Sequence, residues 1–288
     1  MMLTIGQKVT MKQRTVVIGI AIAFLTGCQM EQNTTPIFTK IHTVSIHVKD
    51  HTTHDAVYRF LREDLQLPVV YTPLMLGERK YVGLWAGNLV LEPCGPYSNI
   101  TYATPDFTAM FYGITFESYK SSMQSATQLD QRGIKHEPPY AFVVISDPNL
   151  CGQNLIVSIM DNSDRCQEQA KHDTLTSQLK DNQGGPLGIQ YVEEIQVGCT
   201  DEQNIDKWKT FLAPIRQLDQ RRWQLGNGPS IRLVKSDLKE IKAVVFKVAS
   251  LESAVRYLET KKMLAYRNQN VVKVKTPDAW DFTIVLQE

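Results

Sequence analysis

Eight side chains carry most of the chemistry this sequence offers. Thr43, Ser45 and His47 alternate with Val44, Ile46 and Val48 along one strand-like run, and Glu92 ends a second, Leu89-Val90-Leu91-Glu92. A period of two sets the three valine and isoleucine side chains on one face and Thr43, Ser45 and His47 on the other. By the same rule Glu194 and Gln196 point away from Ile195 and Val197, Arg232 away from Ile231 and Leu233, and Lys247 away from Phe246 and Val248. Arg232 presents a planar fork suited to a carboxylate or phosphate. Glu194, Gln196, Arg232 and Lys247 are thus candidate ligand-binding groups on an otherwise apolar sheet. The competing outcome is an internal Glu194–Arg232 pair that satisfies both charges. Thr43, Ser45, His47 and Glu92 suit a polar ligand, or reduce to an edge histidine and a hydrogen-bonded glutamate.

Other chemistries lack their patterns. No Cys-x-x-Cys and no Cys/His spacing suggests zinc. His136-Glu137-Pro138-Pro139 is a rigid loop without a zincin helix motif, and no glycine-rich phosphate loop follows a strand. Cys94, Cys151, Cys166 and Cys199 allow three disulfide pairings in an oxidising compartment, with Cys151 and Cys166 the favoured pair because they flank one expected strand; free, partly buried thiols are the alternative. Trp85, Tyr112, Trp223 and Trp280 are expected in the core.

The elements that must position these groups recur. Four segments share the order strand, polar cap, amphipathic helix, further strands. The first opens at Thr43, and its helix carries Val57, Phe60, Leu61 and Leu65. Strands Tyr81–Trp85 and Leu89–Glu92 follow, joined by the turn Ala86-Gly87-Asn88. The second opens at Phe111–Glu117, with Phe111, Gly113 and Thr115 expected opposite the helix. Its helix carries Met123, Ala126 and Leu129 and stops at Gly133. The third opens at Glu194–Cys199, with Asp201 capping a helix that bears Ile205, Trp208, Phe211 and Leu212. The fourth opens at Ala243–Val248, with Ser250 capping a helix that bears Ala254, Val255 and Leu258. The polar stretch 167–187, with Gly184-Gly185-Pro186, is expected to link the second segment to the third.

Over 288 residues, 31 Lys and Arg against 30 Asp and Glu leave a net charge of +1, which argues against a nucleic-acid-binding protein. With 43% hydrophobic and 21% charged residues, the chain can bury a core. Its start differs from the rest. Lys12-Gln13-Arg14, the apolar run 15–25 and Thr26-Gly27 form a secretory signal that reads best from Met11, leaving the true start codon open. Leu25-Thr26-Gly27-Cys28 resembles a bacterial lipobox, which implies acylation of Cys28 and a stable anchor of several lipid chains. By resemblance to lipoproteins of double-membraned bacteria, Gln29 implies the periplasmic face of the outer membrane.

Together, the fourfold order, Ser45–Asp50, Asn88–Glu92, Arg132-Gly133-Ile134, Asp147-Pro148-Asn149 and Ala254–Leu258 resemble the vicinal oxygen chelate superfamily, which includes glyoxalases, bleomycin-resistance proteins and extradiol dioxygenases. The resemblance implies an α+β fold of four βαβββ modules paired into two cups, helices outside. The expected organisation is a lipoprotein signal peptide (1–27), a polar tether (28–39), a first cup (40–166), a linker (167–187) and a second cup (188–288). Metal-using members place His, Gln or Glu at the head of the first strand of each paired module and Glu on a closing strand. Here the heads are Thr43, Phe111, Glu194 and Ala243, and the closing positions Glu92, Ser158, Arg232 and Val285. His42 is one residue off register and joins the set only through a bulge. The expectation is therefore a metal-free, membrane-tethered cup that binds a small polar or anionic molecule, with His47 and Glu92 as weak metal candidates. The alternative is a divalent-metal enzyme, a glyoxalase-like lyase or isomerase or an extradiol dioxygenase, using an unusual set from His42 or His47, Glu92 and Glu194. The ligand, the oligomeric state and the disulfide pairing stay open.

Overall fold

Alternating apolar residues make the first strand of each segment, and a polar cap turns the chain into a helix that lies back over that apolar face. A computed structural model describes residues 35–97, 102–104, 106–161 and 165–288, with side chains described outside 162–168. The signal segment 1–27 and Cys28 lie outside the described residues. The first module comprises β1 (Lys40–Val48), α1 (His51–Arg59, continued by the wider turn Phe60–Asp64), β2 (Val69–Leu76), β3 (Arg79–Trp85) and β4 (Val90–Gly95). The second comprises β5 (Ala109–Ser118), α2 (Ser122–Gln131), β6 (Phe142–Val144) and β7 (Ile156–Asp161). After α3 (Arg165–Asp181) the third runs β8 (Ile189–Cys199), α4 (Glu202–Leu212), β9 (Gln217–Asp219), β10 (Arg222–Gln224) and β11 (Ser230–Lys235). The fourth runs β12 (Ile241–Val248), α5 (Leu251–Thr260), β13 (Leu264–Arg267), β14 (Val271–Val274), β15 (Trp280–Asp281) and β16 (Ile284–Gln287).

The helices start where the sequence places their caps. Asp201 Oδ1 accepts from Asn204 N at 2.9 Å and Ser250 Oγ from Ser253 N at 3.3 Å. Ser121 and Gln124 form a reciprocal capping box on α2. Past its end Gly133 takes φ +61°. Met123 departs from the expected stripe: it is 66% exposed, while Ser122, Ser125, Ala126 and Leu129 form the buried face. The serines fit there because Ser125 Oγ bonds Ser118 Oγ at 3.2 Å, so that face is partly polar.

Modules pair into two eight-stranded sheets. The order in the first is β2-β3-β4-β1-β5-β7-β6, and in the second β13-β14-β16-β12-β8-β11-β10-β9. In both, the first strands of the paired modules sit antiparallel at the centre, β1 against β5 and β12 against β8. The short β15 leaves its own module and adds to the first sheet, Trp280 opposite Ala109. Helices of one half reach the other: Tyr257 of α5 donates to the Asp64 carbonyl at the end of the first helix at 3.1 Å, and Lys207 of α4 pairs with buried Asp147 in the loop after β6 at 3.1 Å. One apolar cluster therefore runs through both halves, with Phe38, Phe116 and Phe211 in mutual contact.

The segment expected as a polar linker is a 17-residue helix, α3, laid across the first cup. Composition hides it because only a few of its side chains are buried, His172, Leu175 and Leu179 among them. The helix ends at Gly184, whose φ of +73° and N–H bond to the Leu179 carbonyl (2.8 Å) close its last turn. Gly87, at φ +92°, is the other glycine geometry requires: a Cβ there would strike the Gln190 carbonyl. That approach lets Asn88 grip Val192 through its backbone N–H (3.0 Å) and carbonyl (2.8 Å), tying the β3–β4 turn to the second sheet.

Candidate functional site

Alternation alone misplaces two residues, because the central strands bulge. In the β1–β5 pairing the register slips between Ile41 and Thr43 and again at Ser45 and Ile46, opposite Gly113 and Phe111. An extra residue flips the side chains beyond it. His42 thereby joins Thr43 on the cup face, and both line the same cavity. Phe111, expected in the cup, turns into the core against Phe282, with ring centroids 4.9 Å apart. Tyr112 takes the cup face instead.

Beneath α3 the first cup holds a cavity of about 390 Å³ lined by His42, Thr43, Val70, Tyr71, Val90, Glu92, Lys171 and His172. Sheet residues form its floor, and α3 supplies Lys171 and His172 as its roof. Tyr71 donates its hydroxyl to Glu92 Oε1, and Ser45 Oγ lies 3.5 Å from Glu92 Oε2. Burial pushes the Glu92 carboxyl above the usual carboxylate range, despite the Tyr71 bond and the nearby His42. Burial and the Glu92 charge push the Tyr71 phenol up, so it remains a donor. His42 Nδ1 lies 2.6 Å from Thr43 Oγ1. On the roof side Trp85 stacks on His172 (4.3 Å, 19°), donates Nε1–H to Thr176 Oγ1 at 3.0 Å, and packs with Val90 and Leu175. A second cavity of about 450 Å³ shares Trp85 and His172 and opens toward the Gly226-Asn227-Gly228 turn.

His47, at the other end of the cup, is not part of this cavity. Its ring stacks on Tyr97 (4.1 Å) and Tyr112 (3.8 Å), and Nδ1 lies 2.8 Å from the Tyr102 hydroxyl. Desolvation first, and then the positive Arg79, lower its pKa to about 3. The histidine is thus a neutral packing group. Between pH 6.5 and about 3 the unfolded chain binds a proton at this position that the folded chain refuses, so stability falls as pH drops through that window. The slope approaches roughly 1.4 kcal/mol per pH unit at its steepest. Urea denaturation of His47→Phe should show a shallower loss between pH 6 and 4 than the parent. Equal slopes would mean His47 is not held neutral.

In the second cup Glu194, 6% exposed, is saturated by neighbours. Arg232 Nε bonds both its oxygens at 3.0 and 2.9 Å, Arg222 Nε reaches Oε2 at 2.9 Å, and Gln196 Nε2 donates to Oε1 at 3.0 Å. The Arg232 fork is spoken for by Glu194. Lys247 stands apart: it pairs across the sheet with Tyr191, whereas Glu194 pairs with Val245, and it makes no ion pair among the described residues. Ala243, Val245 and Val285 form an apolar patch beside the network. Arg222 was missed from sequence because its strand, β10, is only three residues long. Tyr71 and Lys171 were missed because an edge strand and a polar helix carry no chemical motif; Trp85 was assigned to the core.

The thiols of Cys94, Cys151 and Cys199 are free. The favoured Cys151–Cys166 pair is therefore not formed, and the Cys166 side chain lies outside the described residues. Burial raises the Cys151 thiol to about 12 and that of Cys199 to about 11, which leaves both protonated and unreactive at neutral pH.

The head and closing positions do not assemble a divalent-ion site. Phe111 faces the core, Ser158 is bonded to Thr115 (3.0 Å), Glu194 is bound by two arginines and Ala243 has no donor. Among the described residues no three His, Cys, Asp or Glu side chains are grouped to hold a metal.

No family model matches this chain, and no curated protein matches it in sequence. Solved structures do match in fold. A room-temperature structure of an extradiol ring-cleaving dioxygenase from B. fuscum aligns with a TM-score of 0.57 at 12% identity, over 89% of this chain and 73% of that one. The complex of homoprotocatechuate 2,3-dioxygenase from Brevibacterium fuscum with 3,4-dihydroxyphenylacetate aligns with a TM-score of 0.55 at 11% identity, over 89% and 82%. With two cups, four modules and this match, the chain has the fold of the vicinal oxygen chelate superfamily in its extradiol-dioxygenase arrangement.

Proposed function

We propose that this is a membrane-tethered binding protein that holds a small polar or anionic molecule in the first cup, without a resident metal. The observation that carries it is the half-enclosed, mixed cavity under α3. Val70 and Val90 give it an apolar wall, and Tyr71, Thr43 and Glu92 give it a few convergent polar groups, which is the usual make-up of a small-molecule site. That no three metal-donor side chains are grouped among the described residues supports setting it apart from the ring-cleaving chemistry named for its structural neighbours. The Leu25-Thr26-Gly27-Cys28 motif supports the lipid tether, and Gln29 its place at the outer membrane.

The test has three arms. A thermal-shift screen of small polar and anionic compounds should return stabilising ligands for the parent and none for Val70→Phe, which fills the cavity from a half-buried position. Metal analysis of the purified protein should find no stoichiometric divalent ion. An ion that Glu92→Ala removes would instead mark a metal-dependent enzyme. Cell fractionation should move Cys28→Ala from membrane to soluble fractions, and an unchanged membrane fraction would rule out the lipid anchor.

A further inference from the structure

Lys171 is the one lysine or arginine among the side chains that line the first-cup cavity, and it comes from the roof, not the sheet. It forms no ion pair among the described residues. Asp173, two residues on and turned to another side of the helix, accepts from Gln169 Nε2 at 2.8 Å. The one acid in the cavity is engaged as well: Glu92 takes hydrogen bonds from Tyr71 and Ser45. An ammonium at the rim of a half-enclosed cavity, without a counter-charge among the described residues, is a recognition element for an anion.

The rest of the lining narrows the class. Phosphate and other dianions are commonly met by arginine forks, glycine-rich backbone nests or helix N-termini. None of these is among the residues that line this cavity: Arg79 lies over Tyr97 at the His47 end of the cup, and Arg222 and Arg232 bind Glu194 in the other sheet. Val70 and Val90 present an apolar surface next to the Tyr71–Glu92 pair. The volume, about 390 Å³, lies at the small end of ligand sites.

We infer that the first-cup cavity takes a small monocarboxylate with an apolar body, its charge met by Lys171 from α3, one oxygen by the Thr43 hydroxyl on the sheet and its body by Val70 and Val90. This deepens the proposed function and rests on it. A consequence is that the ligand bridges sheet and roof, so α3 is ordered by what the cup holds.

Benzoate and its neutral isostere benzamide, with inorganic phosphate as a third probe, test the class by calorimetric titration of the full chain. Benzoate should bind the parent and benzamide at least about ten-fold more weakly, the difference expected for one charge-assisted contact. Lys171→Gln, an exposed position where folding is safe, should weaken benzoate about ten-fold and leave benzamide unchanged, and Val70→Phe should abolish both. If benzamide matches benzoate, if phosphate outcompetes it, or if Lys171→Gln leaves benzoate within two-fold, the monocarboxylate inference fails while the cavity site stands. If benzoate binds Val70→Phe as well as it binds the parent, or if neither the three probes nor the wider screen yields a ligand, the inference and the first-cup reading fall together.

Discussion

Replacing Glu194 with alanine is expected to destabilise the protein by about 2–3 kcal/mol. A carboxylate removed from a buried pair leaves its partners' charges uncompensated, and such losses run to about 3–5 kcal/mol when the partners are fully buried. Here the Arg222 and Arg232 side chains keep 25% and 35% of their surface in solvent, which sets the loss at the lower end. Glu194→Gln should cost less, because an amide oxygen still accepts from one guanidinium. The variant has a second signature. With Glu194 gone, two guanidinium groups face an apolar floor of Ala243, Val245 and Val285 with only Asp219, 3.7 Å from Arg232, to balance them. Millimolar sulfate should then raise the melting temperature of Glu194→Ala more than that of the parent. A loss below about 0.5 kcal/mol in urea denaturation, with no added sulfate response, would show that the network is a loose surface association.

That network marks the boundary of what the sequence alone discloses. The fourfold strand–helix order was legible because each first strand keeps its helix-facing residues apolar, and because Asp201 and Ser250 announce their helices. The same parity brings side chains together: Thr43 and Glu92 line one cavity with Ser45 beside Glu92, and Gln196 and Arg232 both reach Glu194. Where parity fails, a bulge is the cause. His42 and Phe111 exchange faces with respect to expectation because each sits at a register slip in the β1–β5 pairing. A bulge depends on how two strands distant in sequence fit together, and neither strand's own composition reveals it. The pairing of Glu194 with Arg222 is hidden for a related reason: it needs β10 to fold back beside β11, set by the turn Gly226-Asn227-Gly228.

The roof was invisible for a different reason. Residues 167–187 are mostly polar, and a helix with so narrow an apolar stripe as Leu175 and Leu179 looks like a linker. It holds its place because the body supplies the apolar surface: Trp85, Val90 and Val70 form a small cluster, separate from the main core, that receives Leu175. Among the described residues of the helix only Leu179, near the C-terminal end, belongs to the main cluster. Helix α3 is therefore anchored firmly at one end and lightly along the cavity.

Trp85→Ala should expose that arrangement. The indole is 5% exposed, stacks on His172, packs on Leu175 and donates to Thr176. Truncating a buried tryptophan costs about 3–5 kcal/mol where a core must absorb it. Here most of the loss falls on the contact between α3 and the sheet, so local opening of the helix should become roughly a hundred-fold easier, the equivalent of about 3 kcal/mol. Amide hydrogen exchange should accelerate through residues 170–178 while the first strands β1, β5, β8 and β12 keep their protection. Trp85→Phe, which retains a ring against His172 but no N–H for Thr176, should fall between the two. If protection across 170–178 were unchanged in Trp85→Ala, Trp85 would not be the latch of this roof. If protection were lost uniformly through both sheets, the roof would be a structural part of the core and not a cover over the cavity.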